Sequence, residues 1–210
     1  MKLRDCQQHG PTIDNELFVV EGLSAAANID RGRDSKTQAV LALQGKPVNA
    51  AKASRSRLEQ SEELNALASA LGCGTGANFQ LSRLRYKRVI LLFDPDADGV
   101  HCGALVQIYL HQTMPQLIEA GVVQLIRAPL MKVTIPGHDK AVITTSEQHY
   151  QRLREVLRQQ GIEGHSCQRY KGVASLDIPL LQEQCLQHGT RQARTLSLED
   201  TLLAVEVFGS

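Results

Sequence analysis

No apolar stretch of this 210-residue chain reaches the roughly 18 consecutive residues that a membrane-spanning helix needs. The first residues, M-K-L-R-D-C-Q-Q-H, lack the apolar core of a signal peptide. The cysteines number five, an odd count, and no two form a C-x-x-C pair, which indicates reduced thiols. These absences predict a soluble, cytoplasmic protein with no membrane partner.

The chain also lacks an excess of charge of either sign, since 23 basic and 22 acidic residues leave a net charge of +1. Nucleic-acid binding therefore has to be argued from local clusters of charge rather than from the total. With 210 residues and 42% hydrophobic composition, the chain can build one sizeable core, or one core and a small satellite.

The most informative stretch runs from Val89 to His101 and reads V-I-L-L-F-D-P-D-A-D-G-V-H. Its apolar part, Val89 to Phe93, is typical of a strand covered on both faces in an α/β sheet. Proline cannot donate to a strand ladder, so the strand must end by Pro95. Three carboxylates follow at the strand end, where open α/β sheets place their sites: Asp94, Asp96 and Asp98.

If the chain stays extended there, Asp94 and Asp96 point the same way, because strand side chains repeat every second residue. Two such carboxylates repel, and the pKa of one rises unless a cation neutralises them. An all-oxygen ligand set favours Mg²⁺. The alternatives are a solvated acidic turn and an EF-hand loop, but the latter requires Glu where this chain has Leu105.

A second carboxylate, Glu21, ends the β-rich segment Glu16 to Val20. We expect Ser24 to cap a short helix through Ala25 to Ala27, whose N-terminal amides would favour a nearby anion. The alternative is a capped surface helix without a functional role.

Residues 31 to 57 are basic and rich in turns around a strand-like segment, Ala39 to Leu43. Such a cluster suits contacts with phosphates, although a solvated charged face is the alternative. Gly32 and Gly45 favour the first interpretation, because glycine lets backbone amides approach a phosphate closely. The basic residues are Arg31, Arg33, Lys36, Lys46, Lys52, Arg55 and Arg57.

Capping residues and apolar periodicity predict further elements along the chain. They are a helix capped by Ser61 and ended by Gly72, a helix from Val100 to Met114, a strand from Val122 to Ile126, a hairpin around Pro136 to Asp139 between strands Met131 to Ile135 and Lys140 to Thr145, a helix capped by Ser146 and running to Gln160, and a helix from Leu198 to Phe208 with Ser197 and Asp200 as a capping pair.

Six ordered blocks carry a resemblance to a known family. They read E-L-F-V-V-E-G-L-S-A, L-Q-G-K-P-V-N-A-A-K-A, A-L-G-C-G-T-G, D-P-D-A-D-G-V-H, A-P-L-M-K-V and Q-R-Y-K-G. In this order they resemble the Toprim half of the B subunit of bacterial type IIA topoisomerases, gyrase and topoisomerase IV, from about Lys2 to Phe208. The family's ATPase and transducer domains have no counterpart here.

The resemblance implies a Toprim α/β fold, a parallel sheet flanked by helices over residues 1–135, with a small hairpin and helical extension over residues 136–210. It implies that Glu21, Asp94 and Asp96 are catalytic and that they hold Mg²⁺ together with Asp98. It also implies contacts to double-stranded DNA from a set of basic residues: Lys46, Arg55, His101, Arg169 and Lys171.

Departures from the family pattern lie near the expected DNA-facing rim. Leu23 stands where the family has Asp, Ala26 and Ala27 replace paired glycines, and Met131 replaces a tyrosine. After Q-R-Y-K-G, residues 173–176 read V-A-S-L in place of L-G-E-M, which removes a carboxylate.

Three classes of function follow. We favour Mg²⁺-dependent DNA cleavage and rejoining with a tyrosine-bearing gyrase A-type subunit and a separate ATPase, at the nucleoid. The alternatives are a stand-alone Toprim nuclease or nickase, and a non-catalytic DNA-binding module derived from a B-type topoisomerase chain.

The chain has only four tyrosines, so few residues can supply the attacking hydroxyl. Tyr109 and Tyr150 fall on apolar helix stripes and are expected to be core residues, and Tyr86 precedes the central strand at the end opposite the carboxylates. Tyr170 is the remaining candidate, because its basic sequence neighbours could depress its pKa. In the family, however, this block supports DNA. We therefore expect no covalent adduct from this chain alone.

Overall fold

The computed structural model describes residues 3–209 and has a mixed α/β architecture. In chain order, the strands are β1 Leu3–Arg4, β2 Glu16–Glu21, β3 Gln38–Leu43, β4 Arg88–Leu91, β5 Val123–Ile126, β6 Met131–Thr134, β7 Val142–Thr144, β8 Ser166–Arg169 and β9 Ala193–Thr195. The α-helices are α1 Gly22–Gly32, α2 Arg55–Glu59, α3 Glu62–Leu71, α4 Ala97–Thr113, α5 Pro115–Glu119, α6 Glu147–Gln159, α7 Ile178–Leu181 and α8 Leu198–Phe208.

The central sheet has six strands in the order β1-β3-β2-β4-β5-β9. Its four inner strands run parallel, and the two edge strands, β1 and β9, are antiparallel to their neighbours. Helices cover both faces, as the resemblance to the Toprim fold led us to expect. Among residues 3–209, no helix combines the length and the apolar composition needed to cross a membrane.

Strand β2 is buried on both faces because its side chains alternate between two cores. Leu17 and Val19 belong to the core that contains residues of α3 and α4. Phe18 and Val20 belong to the opposite core, which contains residues of α1 and α7. A run without polar interruption is therefore what this strand requires, and Leu17 to Val20 supply it.

The order of the strands creates a crevice between β2 and β4. From β2 the chain crosses to β3 on one side, and from β4 it crosses to β5 on the other. Ligands of open α/β sheets bind at such a switch point, outside the carboxyl ends of the strands. Val19 of β2 pairs with Leu91 of β4, so Glu21 and Asp94 both follow the paired segment at this end.

The chain from β6 onward forms a second sheet, whose central strand β6 lies before residue 135, and then returns to the first. Strands β7-β6-β8 are antiparallel and share a small core with α6. Helix α7 then packs near α1, β9 joins the edge of the central sheet, and α8 packs against α4. The division into 1–135 and 136–210 stays a prediction, and its outermost residues, Met1, Lys2 and Ser210, lie outside the described residues.

The predicted caps of three helices are confirmed. Ser61, Ser146 and Ser197 each accept a hydrogen bond from a backbone N–H of the first turn. The predicted cap of α1 is wrong: the helix begins at Gly22, and Ser24 is an exposed residue inside it. Gly22 adopts a φ of +78°, which lets the chain turn directly from strand into helix.

Candidate metal centre

Four carboxylates gather at the switch point of the central sheet, and we call this group the acidic crevice: Glu21, Asp94, Asp96 and Asp98. Glu21 is the last residue of β2 and is half-buried. It also precedes α1 directly, but its side chain makes no capping hydrogen bond, so the carboxylate is not engaged by that helix. Asp94 is also half-buried, whereas Asp96 and Asp98 are exposed.

The start of α4 sets the positions of the three aspartates. The Asp96 carboxylate accepts a hydrogen bond from the Gly99 N–H at 2.8 Å and thereby caps the helix. A Cβ atom on Gly99 would lie 2.2 Å from the backbone oxygen of Asp94, so only glycine fits between the helix and the loop. One turn later, a Cβ on Gly103 would lie 3.2 Å from the ring of Phe93. The glycine of the D-A-D-G sequence is thus required by the close contact between α4 and the loop that carries the aspartates.

The electrostatics of the crevice favour a bound cation. Burial raises the pKa of Glu21, and repulsion from Asp94, Asp96 and Asp98 raises it further, against a smaller opposing effect of Lys46. Burial likewise raises the pKa of Asp94, with Asp96 adding to the shift and the Val173 N–H opposing it. Negative charge is therefore in excess in the crevice, as expected of a site that a cation would complete.

Lys46 forms an ion pair with one of the carboxylates of the crevice. It lies in the loop after β3, where Gly45 has a φ of +111°, and its Nζ is 2.8 Å from the Asp98 carboxylate. This pairing lowers the pKa of Asp98 and raises that of Lys46. Both side chains are largely exposed, so the ion pair contributes little to stability and can exchange for another anion.

The oxygen-only donors of the crevice suit a hard divalent cation such as Mg²⁺. In the crevice, no three ligand atoms lie within 4.8 Å of one another. Among residues 3–209, only Asp5, Cys6 and His9 form a group that meets this criterion. That second group already contains a cation, because the Arg85 guanidinium lies 2.5 Å from the Asp5 carboxylate and 3.2 Å from the His9 Nε2. We therefore assign the candidate metal centre to the acidic crevice.

The other basic residues predicted from the sequence lie apart from one another. Arg55 on α2 pairs with Glu59 at 2.9 Å, and Arg169 on β8 pairs with Glu147 at 3.0 Å, both on the surface. The ring of His101 on α4 stacks on Phe208, with 5.0 Å between the ring centroids.

Lys171 is exposed and immediately precedes Gly172, which contacts the Asp94 carboxylate. Three of the predicted DNA-binding residues are thus linked to the crevice: Lys46 and, with a smaller effect, His101 lower the pKa of Asp98, and Lys171 precedes the glycine that packs against Asp94.

The tyrosines are largely withdrawn from solvent. Tyr86, Tyr109 and Tyr170 are buried, as predicted for Tyr109, but Tyr150 is only half-buried and is not a core residue. The expectation that basic neighbours depress the pKa of Tyr170 is wrong. Burial and the Asp177 carboxylate, 3.4 Å from its hydroxyl, raise that pKa instead.

Sequence reasoning missed two residues beside the crevice. The Val173 N–H donates a hydrogen bond to the Asp94 carboxylate at 2.7 Å. The side-chain amide of the buried Asn28, on α1, donates a hydrogen bond to the carbonyl of the same Val173 at 2.9 Å. The one available signal was an asparagine inside the apolar stripe of a helix, where a polar side chain needs partners.

Comparisons with known proteins agree with this architecture. A family model described as "Toprim domain" matches residues 16–127. The chain is 34% identical over 209 residues to the DNA gyrase B protein of Treponema pallidum, covering 100% of this chain and 32% of the relative. The DNA gyrase B protein of Streptomyces coelicolor is 36% identical over 209 residues, covering 99% of this chain and 30% of the relative. That of Archaeoglobus fulgidus is 34% identical over 207 residues, with 99% and 32% covered.

The chain thus spans about a third of the length of the curated relatives it matches. The range matched by the family model begins with β2 and ends just after β5, and it includes all four carboxylates of the crevice as well as Lys46.

Proposed function

The chain belongs to the Toprim family, and from this premise we propose that it is the DNA cleavage and rejoining module of a type IIA topoisomerase, equivalent to the Toprim part of gyrase B, and that it depends on Mg²⁺. The observation that carries the proposal is the acidic crevice, in which the pKa of Glu21 is raised by burial and by three neighbouring aspartates. We further propose that the protein works in the cytoplasm, associated with the nucleoid.

We propose that Glu21, Asp94, Asp96 and Asp98 hold Mg²⁺, with Glu21, Asp94 and Asp96 as the catalytic residues. The fit rests on the donor chemistry and on the unbalanced negative charge of the crevice. When bound, Mg²⁺ stabilises negative charge on a phosphodiester and on its leaving oxygen.

Glu21 has a second role in this proposal, the transfer of a proton. A carboxyl group is an effective general acid or base when its pKa lies closer to the working pH than usual. Burial, the larger cause, raises the pKa of Glu21 in this direction, whereas the repulsion from the aspartates that adds to it would be offset by a bound cation. Its side chain is free of any capping bond and can therefore accept a proton from an attacking hydroxyl or return it to the leaving oxygen.

The attacking hydroxyl is proposed to come from a tyrosine of a gyrase A-type partner subunit. Nucleophilic attack needs a hydroxyl positioned in line with the phosphate. Among the four tyrosines of this chain, Tyr170 lies two residues before Gly172, which packs against the Asp94 carboxylate, but Tyr170 is buried and its pKa is raised. An external tyrosine fits these facts better than an internal one.

Double-stranded DNA would contact Lys46 and Lys171 beside the crevice, with Arg55, His101 and Arg169 extending the surface. Such contacts with phosphates carry affinity but little base information, so binding is expected to tolerate many sequences. ATP hydrolysis is proposed to come from a separate ATPase unit.

Supercoiled plasmid incubated with the protein and Mg²⁺, with and without a gyrase A-type subunit, tests the proposal. Cleavage or relaxation only in the presence of both proteins is the expected result. Glu21→Gln should abolish it, whereas Glu119→Gln should not. Glu119 is an exposed carboxylate on α5, beyond the far end of α4, which is 17 residues or about 25 Å long.

Two other outcomes would replace the proposal. Mg²⁺-dependent nicking by the lone protein, abolished by Glu21→Gln, would make it a self-sufficient nuclease. DNA binding without cleavage under any condition would make it a non-catalytic DNA-binding module.

A further inference from the structure

The turn that follows Lys171 lies directly against the Asp94 carboxylate, although the two are far apart in the sequence. The Val173 N–H donates a hydrogen bond to Asp94 Oδ1 at 2.7 Å. A Cβ atom on Gly172 would lie 2.2 Å from Asp94 Oδ2 and 2.4 Å from its Cγ. The carboxylate is thus packed against the backbone of Gly172, where no other residue type fits without displacing it.

Two sets of hydrogen bonds hold the turn in place, one from Ser175 within it and one from Asn28 on α1. Ser175 Oγ accepts hydrogen bonds from the N–H groups of Lys171 at 3.0 Å and Gly172 at 3.3 Å, and its hydroxyl donates to the Gly172 carbonyl at 2.7 Å. Asn28 Nδ2 donates to the carbonyls of Val173 and Leu176, each at 2.9 Å.

Asn28 is only 5% exposed and lies on α1, the helix that begins directly after Glu21. Both hydrogens of its amide nitrogen are used by the turn. A continuous set of contacts therefore joins the helix that follows Glu21, through Asn28 and the turn, to Asp94. Any movement of the turn would change where the Asp94 carboxylate points relative to Glu21.

We propose that Gly172 and Asn28 are positioning residues for the metal centre, which fix the Asp94 carboxylate in one orientation through the Val173 N–H. The inference rests on the proposed function in one respect, that Asp94 is a metal ligand. Hydrogen-bond partners that orient a metal ligand commonly contribute to metal affinity without touching the ion. Neither residue needs to touch the metal or the DNA.

Calorimetric titration of Mg²⁺ into the full chain tests the proposal. Gly172→Ala and Asn28→Ala should each weaken Mg²⁺ binding by about 10- to 100-fold, the usual effect of losing an orienting partner. Gly189→Ala is the control for the first, because a Cβ there meets open space at an ordinary φ. Asn65→Ala is the control for the second, because Asn65 also donates to a carbonyl, that of Glu59, but on the surface at α3.

A measurement on the unmodified chain guards against a variant that fails to fold. The Val173 amide signal in a ¹⁵N–¹H spectrum should shift on addition of Mg²⁺, and the shift should be absent in Asp94→Asn. If the chain binds Mg²⁺ but the Val173 amide signal does not shift, the proposal is wrong. It is also wrong if Gly172→Ala folds and binds Mg²⁺ with unchanged affinity. If the wild-type chain binds no Mg²⁺ at all, the metal centre itself is wrong and the positioning role falls with it.

Discussion

Replacing Gly99 with alanine tests whether the acidic loop depends on close contact with α4. Alanine in a helix is favoured over glycine by up to about 1 kcal/mol, so propensity alone predicts a more stable protein. The new Cβ, however, would lie 2.2 Å from the Asp94 backbone oxygen and 2.8 Å from its nitrogen, and these backbone atoms cannot rotate away. Overpacking of this kind costs about 1–3 kcal/mol, at the upper end where backbone has to move.

The expected result is a net destabilisation of about 1–2 kcal/mol, which is a fall of about 2–8 °C in the melting temperature for a chain of this size. Urea denaturation should show a lower midpoint with an unchanged slope. Because the displaced atoms belong to Asp94, Mg²⁺ should also protect the variant less against unfolding than it protects the wild type.

Gly103→Ala is the matched control, since its Cβ would meet only the ring edge of Phe93 at 3.2 Å, where a small ring movement suffices. It should be close to neutral in stability. A Gly99→Ala protein as stable as the wild type, or more stable, would refute the close contact between helix and loop.

Three further predictions concern other charged groups. Asp94→Asn should raise the melting temperature of the metal-free protein at neutral pH, because the raised pKa of Asp94 means that its ionised carboxylate destabilises the fold. This gain in stability should vanish below about pH 4, where the carboxyl group is protonated in both the folded and the unfolded chain. Calorimetry should show weaker Mg²⁺ binding by the variant. Glu16→Gln should cost about 3–5 kcal/mol in urea unfolding, because it leaves the buried Arg191 guanidinium without its carboxylate partner, and equal stability would contradict this. Replacing Lys46 and Lys171 together by alanine should reduce the slope of log affinity for DNA against log salt concentration by about two units. An unchanged slope in fluorescence anisotropy titrations would show that DNA binds to another face of the protein.

Local patterns in the sequence were sufficient to predict the central strand, three of the helix caps and the carboxylates of the crevice. Ser61, Ser146 and Ser197 cap their helices through bonds that span only three residues, so the relevant information is contiguous. Glu21 and Asp94 could be anticipated because both follow apolar strands, and parallel strands end at one edge of the sheet.

Contacts between distant segments could not be predicted in this way. Asp94 and Val173 are 79 residues apart, and nothing in either local sequence indicates that one holds the other. The pKa of Tyr170 was misjudged for the same reason, because its basic sequence neighbours matter less than its burial beside Asp177. The start of α1 was misplaced because a serine predicted a cap, whereas Gly22 at positive φ allows the helix to start three residues earlier.

The most direct test of the central claim is to trap radiolabelled DNA on protein in a denaturing gel, with Mg²⁺ and with or without a gyrase A-type subunit. We predict a covalent DNA adduct only when both proteins are present, at the mass of the tyrosine-bearing partner, and none with Glu21→Gln. A DNA-linked band from this chain alone, abolished by Tyr170→Phe, would contradict the account and make the protein a self-contained cleaving enzyme.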